Sequence, residues 1–145
     1  LGKEWAMPAD PAMFGDRFHI WCVGRSVDEG RLAAMRWLIE FIGIVRSEPS
    51  KLPIQKTPHS NGRDVMINDC TGGTLFDPRH LGAQKLADLW KGCSQASMHA
   101  TSDTGHPDVS PDRIAEALEI VLTHLDTHLY QPNGLKLIEV VRGKS

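Results

Sequence analysis

The chain has 145 residues, a formal net charge of −2 at pH 7, 41% hydrophobic and 23% charged residues; this fits one globular domain that buries about two thirds of its unfolded surface and excludes a disordered chain or one needing a metal or disulfide staple. A charge this small sets up no global field for a polyanion, so nucleic-acid binding has no support from charge. Cys22, Cys70 and Cys93 are odd in number and lack CxxC spacing, which predicts reduced thiols and a cytoplasmic setting, and neither a signal-peptide pattern nor an apolar run long enough to span a membrane occurs.

Residues 1–11 contain Pro and Ala and predict an N-terminal arm anchored by Trp5. From Ala12 to Gly24, the residues Phe14, Phe18, Ile20, Trp21 and Val23 fit a helix or a short buried strand, and helix is favoured because the next segment is helical. Ser26-Val27-Asp28-Glu29 has the form of a capping box and predicts a further helix over 27–46. Leu32, Met35, Trp37, Leu38, Ile39, Phe41, Ile42, Ile44 and Val45 cover nearly its whole circumference, leaving a wedge of Glu29, Arg36, Glu40 and Gly43. A helix apolar all round is buried all round, so it is either the centre of a bundle or a homo-oligomeric interface.

Residues 47–63 hold Pro49, Pro53, Pro58 and Asn61-Gly62 and predict an irregular surface loop, mildly basic through Lys51, Lys56, His59 and Arg63. Asp64 to Phe76 reads as two short extended runs about Thr71-Gly72-Gly73, a small β-hairpin. Asp77-Pro78 then supplies a cap and an N1 proline for a helix from about Arg79 to about Thr101. One arc of it carries Leu86, Leu89, Trp90, Cys93, Ala96, Ser97 and Ala100, and another carries Asp88, Lys91, Gln95 and His99. Gly92, Ala96 and Ala100 form a small-residue ridge suited to close approach by the next helix. That helix opens at Ser110-Pro111-Asp112 and ends near Tyr130, before Gln131-Pro132-Asn133-Gly134, with Ile114, Leu118, Val121, Leu122, Leu125 and Leu129 in one stripe. The two helices form an antiparallel hairpin joined by 102–109. Leu135 to Val141 adds one more strand or a docked tail. The expected fold is therefore mainly α, a single helical domain over 1–145: an antiparallel bundle of about four helices with a minor β-hairpin, with α+β as the alternative.

Chemistry concentrates on the polar row of the first hairpin helix. Lys91, Gln95 and His99 stand four residues apart with Asp88 beside Lys91, and Asp103 and His106 follow the helix end. A histidine beside an amide and an ammonium suits proton transfer or anion binding, so Asp88, Lys91, Gln95, His99, Asp103 and His106 are the candidate ligand site. A metal could draw on His99, Asp103, His106 and the His124/His128 pair, but the pair lacks the Glu and the close third ligand of an HExxH site. His128 falls among Ala117, Val121 and Leu125, where a hydrogen-bonded core histidine is the commoner outcome, so no metal and no cofactor is expected. Cys93 sits on the apolar face, where a thiolate is disfavoured, and neither G-x-S-x-G, a phosphate loop nor a dinucleotide fingerprint is present.

The segment LADLWKGCSQASMHATSDTGHP, followed by a capped helix ending HLDTHLY, resembles the helical hairpin of HEPN-like proteins, small α-bundles that dimerise and often act as ribonucleases or as nucleotide- or partner-binding modules. The likeness spans about residues 81–130. That family's catalytic pattern is an Arg followed within a few residues by a His; His99 matches the His and Gln95 the polar residue, whereas the Arg position holds Ser94 and Lys91 comes too early. The resemblance thus implies the fold and dimerisation more than nuclease activity. The function expected is a small homo-oligomeric binding domain with a ligand site around His99 for a small molecule or protein partner. A HEPN-like RNA-cleaving or nucleotide-modifying enzyme and a metal-binding protein are the alternatives.

Overall fold

A computed structural model describes residues 15–58, 62, 64–98 and 109–136; side chains are described from residue 27 on, apart from 96–98. The chain is mainly helical, with a small antiparallel two-stranded sheet. Helix α1 spans Gly15–Phe41, strands β1 and β2 span Ile44–Arg46 and Pro53–Gln55, α2 spans Ala83–Met98 and α3 spans Pro111–Leu125. The arm at 1–11 with Trp5, the 102–109 connection up to Asp108 and the tail beyond Lys136 lie outside the described residues.

Among the described residues the expected four helices are three, because the two segments anticipated at 12–24 and 27–46 are one continuous α1. Gly24 and the capping-box residues sit inside it. A single interior glycine costs only about 1 kcal/mol against alanine, and no proline lies between Gly15 and Phe41 to enforce a break. The helix also stops earlier than expected. Ile42 and Gly43 donate their N–H groups to Leu38 and Glu40 carbonyls at 3.1 and 3.0 Å, closing the last turn, and Gly43 then adopts φ +97°. A β-carbon there would collide with the Gln55 side chain and come within 2.7 Å of Leu75, so only glycine suits the reversal.

Ile44–Arg46 therefore forms β1, and β2 comes from the segment expected to be irregular. The register pairs Ile44 with Gln55, Val45 with Ile54 and Arg46 with Pro53. Pro53 is tolerated because it opens the strand, where its missing N–H removes no essential ladder bond. Conversely, the hairpin expected about Thr71-Gly72-Gly73 is absent. Asp69 accepts the Met66 N–H at 2.8 Å and closes a 3-10 turn at Ile67–Asp69; Gly73 packs directly on the Ile67 carbonyl, leaving no room for a β-carbon. From there 74–77 has no regular secondary structure, and the Phe76 N–H reaches the Ile42 carbonyl at 2.9 Å.

Asp77-Pro78 opens a turn rather than the helix. Its carboxylate takes the Arg79 N–H at 2.8 Å, and α2 starts at Ala83, whose N–H meets the His80 carbonyl at 3.0 Å. The cap of α3 is where the sequence places it: the Arg113 N–H donates to Ser110 Oγ at 3.3 Å, with Pro111 in the first turn. Beyond Leu125 the helix widens into a π turn, Asp126–Tyr130.

Leu32, Met35, Ile39 and Ile42 of α1, Ile44, Ile67 and Phe76, Leu86, Leu89 and Cys93 of α2, and Val121 of α3 form one buried cluster. Each fully buried aliphatic side chain contributes on the order of 1.5–3 kcal/mol. α2 packs chiefly on α1, next on β1, and less on α3. α1 itself is one-sided rather than buried all round: Ile39 and Ile42 are fully enclosed while Trp37 is 57% exposed and stacks on Phe41, ring centroids 5.3 Å apart.

Candidate functional site

Asp88 and Lys91, from the polar row of α2, meet the β-hairpin. Arg46 donates from Nη1 to Asp88 Oδ1 at 3.2 Å and from Nε to Glu48 at 2.9 Å. Gln84 bridges Asp88 Oδ1 at 3.0 Å and the Lys51 carbonyl at 2.9 Å, and Lys91 approaches Glu48 at 4.0 Å. A neighbouring network centres on Glu40, which receives the Trp90 Nε1–H at 2.8 Å, Arg36 at 3.1 Å and Lys56 at 3.3 Å. Partial burial works to raise the Glu40 pKa, but the Trp90 bond, Lys56 and Arg36 together hold it below the ordinary carboxylate value. These charges tie the hairpin and α1 to α2. Gln95 lies exposed on the same helix, while His99, Asp103 and His106 lie outside the described residues.

A groove of about 480 Å³ opens between the segment Thr74–His80 and the C-terminal part of α3 with its π turn. Leu75, Phe76 and Ile120 give it an apolar wall, and Thr123, Thr127, Asp77 and Glu119 give it polar ones. Its distinguishing residues are His80, His124 and His128. His124 is 8% exposed and its Nε2 lies 2.7 Å from the Thr74 carbonyl. A carbonyl only accepts, so Nε2 carries the proton and Nδ1 keeps its lone pair. His80 is fixed in the same tautomer by a different contact: the Gly82 N–H donates to His80 Nδ1 at 2.9 Å, which leaves Nε2 as the proton-bearing atom of the neutral ring.

The rings form a contiguous set. Phe76 lies edge-on to His80 and to His124, with centroids at 4.9 and 5.1 Å, and His128 tilts by 34° over His124 at 4.5 Å. Burial lowers the His124 pKa; the Thr74 carbonyl opposes this, and the neighbouring His128 and His80 add to the lowering. His124 is thus neutral at pH 7. Hydrogen bonds from Arg79 hold the Asp77 carboxyl below its ordinary value, so it is ionised. π turns recur at functional sites in helices, and here the turn carries Thr127 and His128 into the groove wall.

The i, i+4 spacing of His124 and His128 was legible in the sequence, but the buried histidine is His124, while His128, expected in the core, is half-buried. His80 joins them only because Thr74–His80 folds against α3, which a strand and helix-start assignment for that stretch conceals. Among the described residues no group of three or more His, Cys, Asp or Glu is arranged to hold a metal ion; Phe76 is edge-on to both His80 and His124. Burial raises the Cys93 thiol to about 11, away from nucleophilic use. Among the described residues, no helix is long and apolar enough to cross a membrane. No family model, no curated protein and no solved structure matches the chain.

Proposed function

We propose that this chain is a binding domain whose ligand occupies the groove between Thr74–His80 and the end of α3. One observation carries this: two imidazoles are locked in defined tautomers by backbone partners, His124 by Thr74 and His80 by Gly82, at the wall of a concavity large enough for a small molecule. A largely apolar pocket with a few oriented polar groups is the usual form of a small-molecule site. By contrast, Asp88 is committed to Arg46 and Gln84, which favours a stapling role over ligand binding for that part of α2. The test is an NMR fragment screen that follows the His80, His124 and His128 ring resonances. Fragments that shift these rings and lose affinity in His80→Ala support the proposal; fragments that bind only along 88–106 refute it.

A second reading, homodimerisation through α1, is favoured by the exposed Trp37 stacked on Phe41. Large exposed aromatics are typical anchors of protein interfaces. Light scattering on wild type and Trp37→Glu tests it: a dimer that becomes a monomer supports it, and a wild-type monomer removes it.

A further inference from the structure

We propose that His80 is a proton-operated latch at the start of α2: the neutral ring holds Gly82 and stands in the groove wall, and protonation releases it from both. The ring Nδ1 accepts the Gly82 N–H at 2.9 Å. An imidazole nitrogen accepts only while it lacks a proton, and both nitrogens of an imidazolium are donors. A proton added to this ring therefore sets an Nδ1–H against the Gly82 N–H, two donors with no acceptor between them. His80 is exposed, so the proton reaches it directly from water, whereas Gly82 is buried. Histidine is also the side chain whose ordinary pKa brings such a change within reach of mild acid.

The surroundings decide which part moves. A β-carbon on Gly82 would lie 3.0 Å from Ile120 Cδ1 and 3.3 Å from His80 Nδ1, so the start of α2, the ring and α3 meet closely at this point. The backbone of the turn has bonds of its own, His80 N–H to the Asp77 carbonyl and Ala83 N–H to the His80 carbonyl, each at 3.0 Å. Neither involves a titrating atom. The turn therefore stays while the ring rotates about its side-chain bonds, away from its edge-on contact with Phe76 at 4.9 Å and out of the wall it shares with α3. The charged and titratable groups around it are Asp77, paired with Arg79, on its own segment, Glu119, His124 and His128 on α3, and Lys85 on α2, paired with Glu116 at 3.3 Å. The device needs no ligand in the groove.

The experiment is NMR of the full chain between about pH 7.5 and 5, the range a histidine spans, on wild type, His80→Asn and His124→Gln. Asparagine keeps an oxygen acceptor for the Gly82 N–H and does not titrate. In the wild type the His80 ring is expected to carry its proton on Nε2 at the upper pH, and the Gly82 amide resonance to follow the titration of that ring. As the ring charges, the Gly82 amide is expected to lose roughly fivefold in hydrogen-exchange protection, the worth of one ordinary hydrogen bond, and the nuclear Overhauser contact between the His80 and Phe76 rings is expected to vanish. His80→Asn should keep Gly82 protected across the range, and His124→Gln should respond as the wild type does. The proposal is overturned by a Gly82 amide that ignores the His80 titration, by a His80–Phe76 contact that survives protonation, or by a response that His124→Gln abolishes and His80→Asn leaves intact. Equal loss of protection at Ile39, Val121 and Gly82 overturns it too, because acid would then be unfolding the whole chain.

Discussion

Acidification should destabilise this protein through His124 in a window set by the sign of its shift. The ring is buried and neutral in the folded chain, with its pKa lowered from 6.5, and returns to an ordinary histidine when the chain unfolds. Between those two values the unfolded state binds the extra proton. Stability is therefore complete above the unfolded value, falls as pH drops below about 6.5, and stops falling once the folded-state ring also protonates. One proton sets an upper slope of about 1.4 kcal/mol per pH unit, equivalent to roughly 4–7 °C in Tm per unit for a domain of this size. Circular-dichroism melts of wild type and His124→Gln at about pH 7.5, 6.5 and 5.5 isolate the group, since the other ionisable groups are common to both proteins and an amide can still donate to the Thr74 carbonyl. The wild type should lose Tm more steeply than the variant. Parallel curves, or a wild type that gains stability in acid, would refute the assignment of a buried neutral imidazole.

Other outcomes follow from the same geometry. Glu40→Gln removes the charge that Trp90, Arg36 and Lys56 address and should cost about 1–3 kcal/mol in urea denaturation at pH 7. Because the folded Glu40 pKa is depressed, the difference should vanish as pH falls below the ordinary glutamate range. Ile39→Ala opens a cavity at a fully enclosed position and should cost about 2–5 kcal/mol by the same measurement. Iodoacetamide near neutral pH should label the half-buried Cys70 in the native protein and spare Cys93, whose thiol is raised to about 11; mass spectrometry before and after adding urea distinguishes the two.

How much was legible from sequence depended on whether a local signal had competition. Ser110-Pro111-Asp112 sits between a polar connection and a strongly amphipathic run, and it caps α3 as read. Ser26 to Glu29 has the same chemistry but lies between two helix-forming stretches, so continuity of α1 overrides it. The apolar faces of α2 and α3 were visible in their periodicity; the end of α1 was not, because Gly43 acts through a tertiary approach of Gln55 and Leu75 rather than through its neighbours in sequence. Prolines at 49, 53 and 58 suggested an absence of regular structure, yet a two-stranded sheet has outer edges where Pro53 costs little. For the groove, the His124 and His128 pair was visible and its third member was not, since His80 is placed by the fold of 74–82.

The polar row on α2 and the histidines of the groove show why side-chain type alone does not say which groups are committed to the fold. Asp88 looks reactive beside Lys91 in the sequence, but in the fold its carboxylate receives Arg46 and Gln84 and joins the hairpin to α2. Recruiting it for a ligand would break those bonds, and a hydrogen bond to a charged group is worth about 1.5–3 kcal/mol, so a ligand would have to replace what it displaced. The groove histidines impose no such exchange. His80 and His124 each spend one ring nitrogen on a backbone atom, which fixes orientation and tautomer and leaves that bond in place when a ligand meets the second nitrogen. A ligand that meets pre-set donors and acceptors avoids much of the ordering cost of binding, and the arrangement predicts a specific failure: replacing Gly82 by proline removes the N–H that His80 Nδ1 accepts. Gly82→Pro should release the His80 ring, seen as loss of its single tautomer signature in 15N NMR, and weaken groove ligands, while Asp88→Asn should loosen the hairpin and leave ligand affinity unchanged. The reverse pattern would place the binding chemistry on α2.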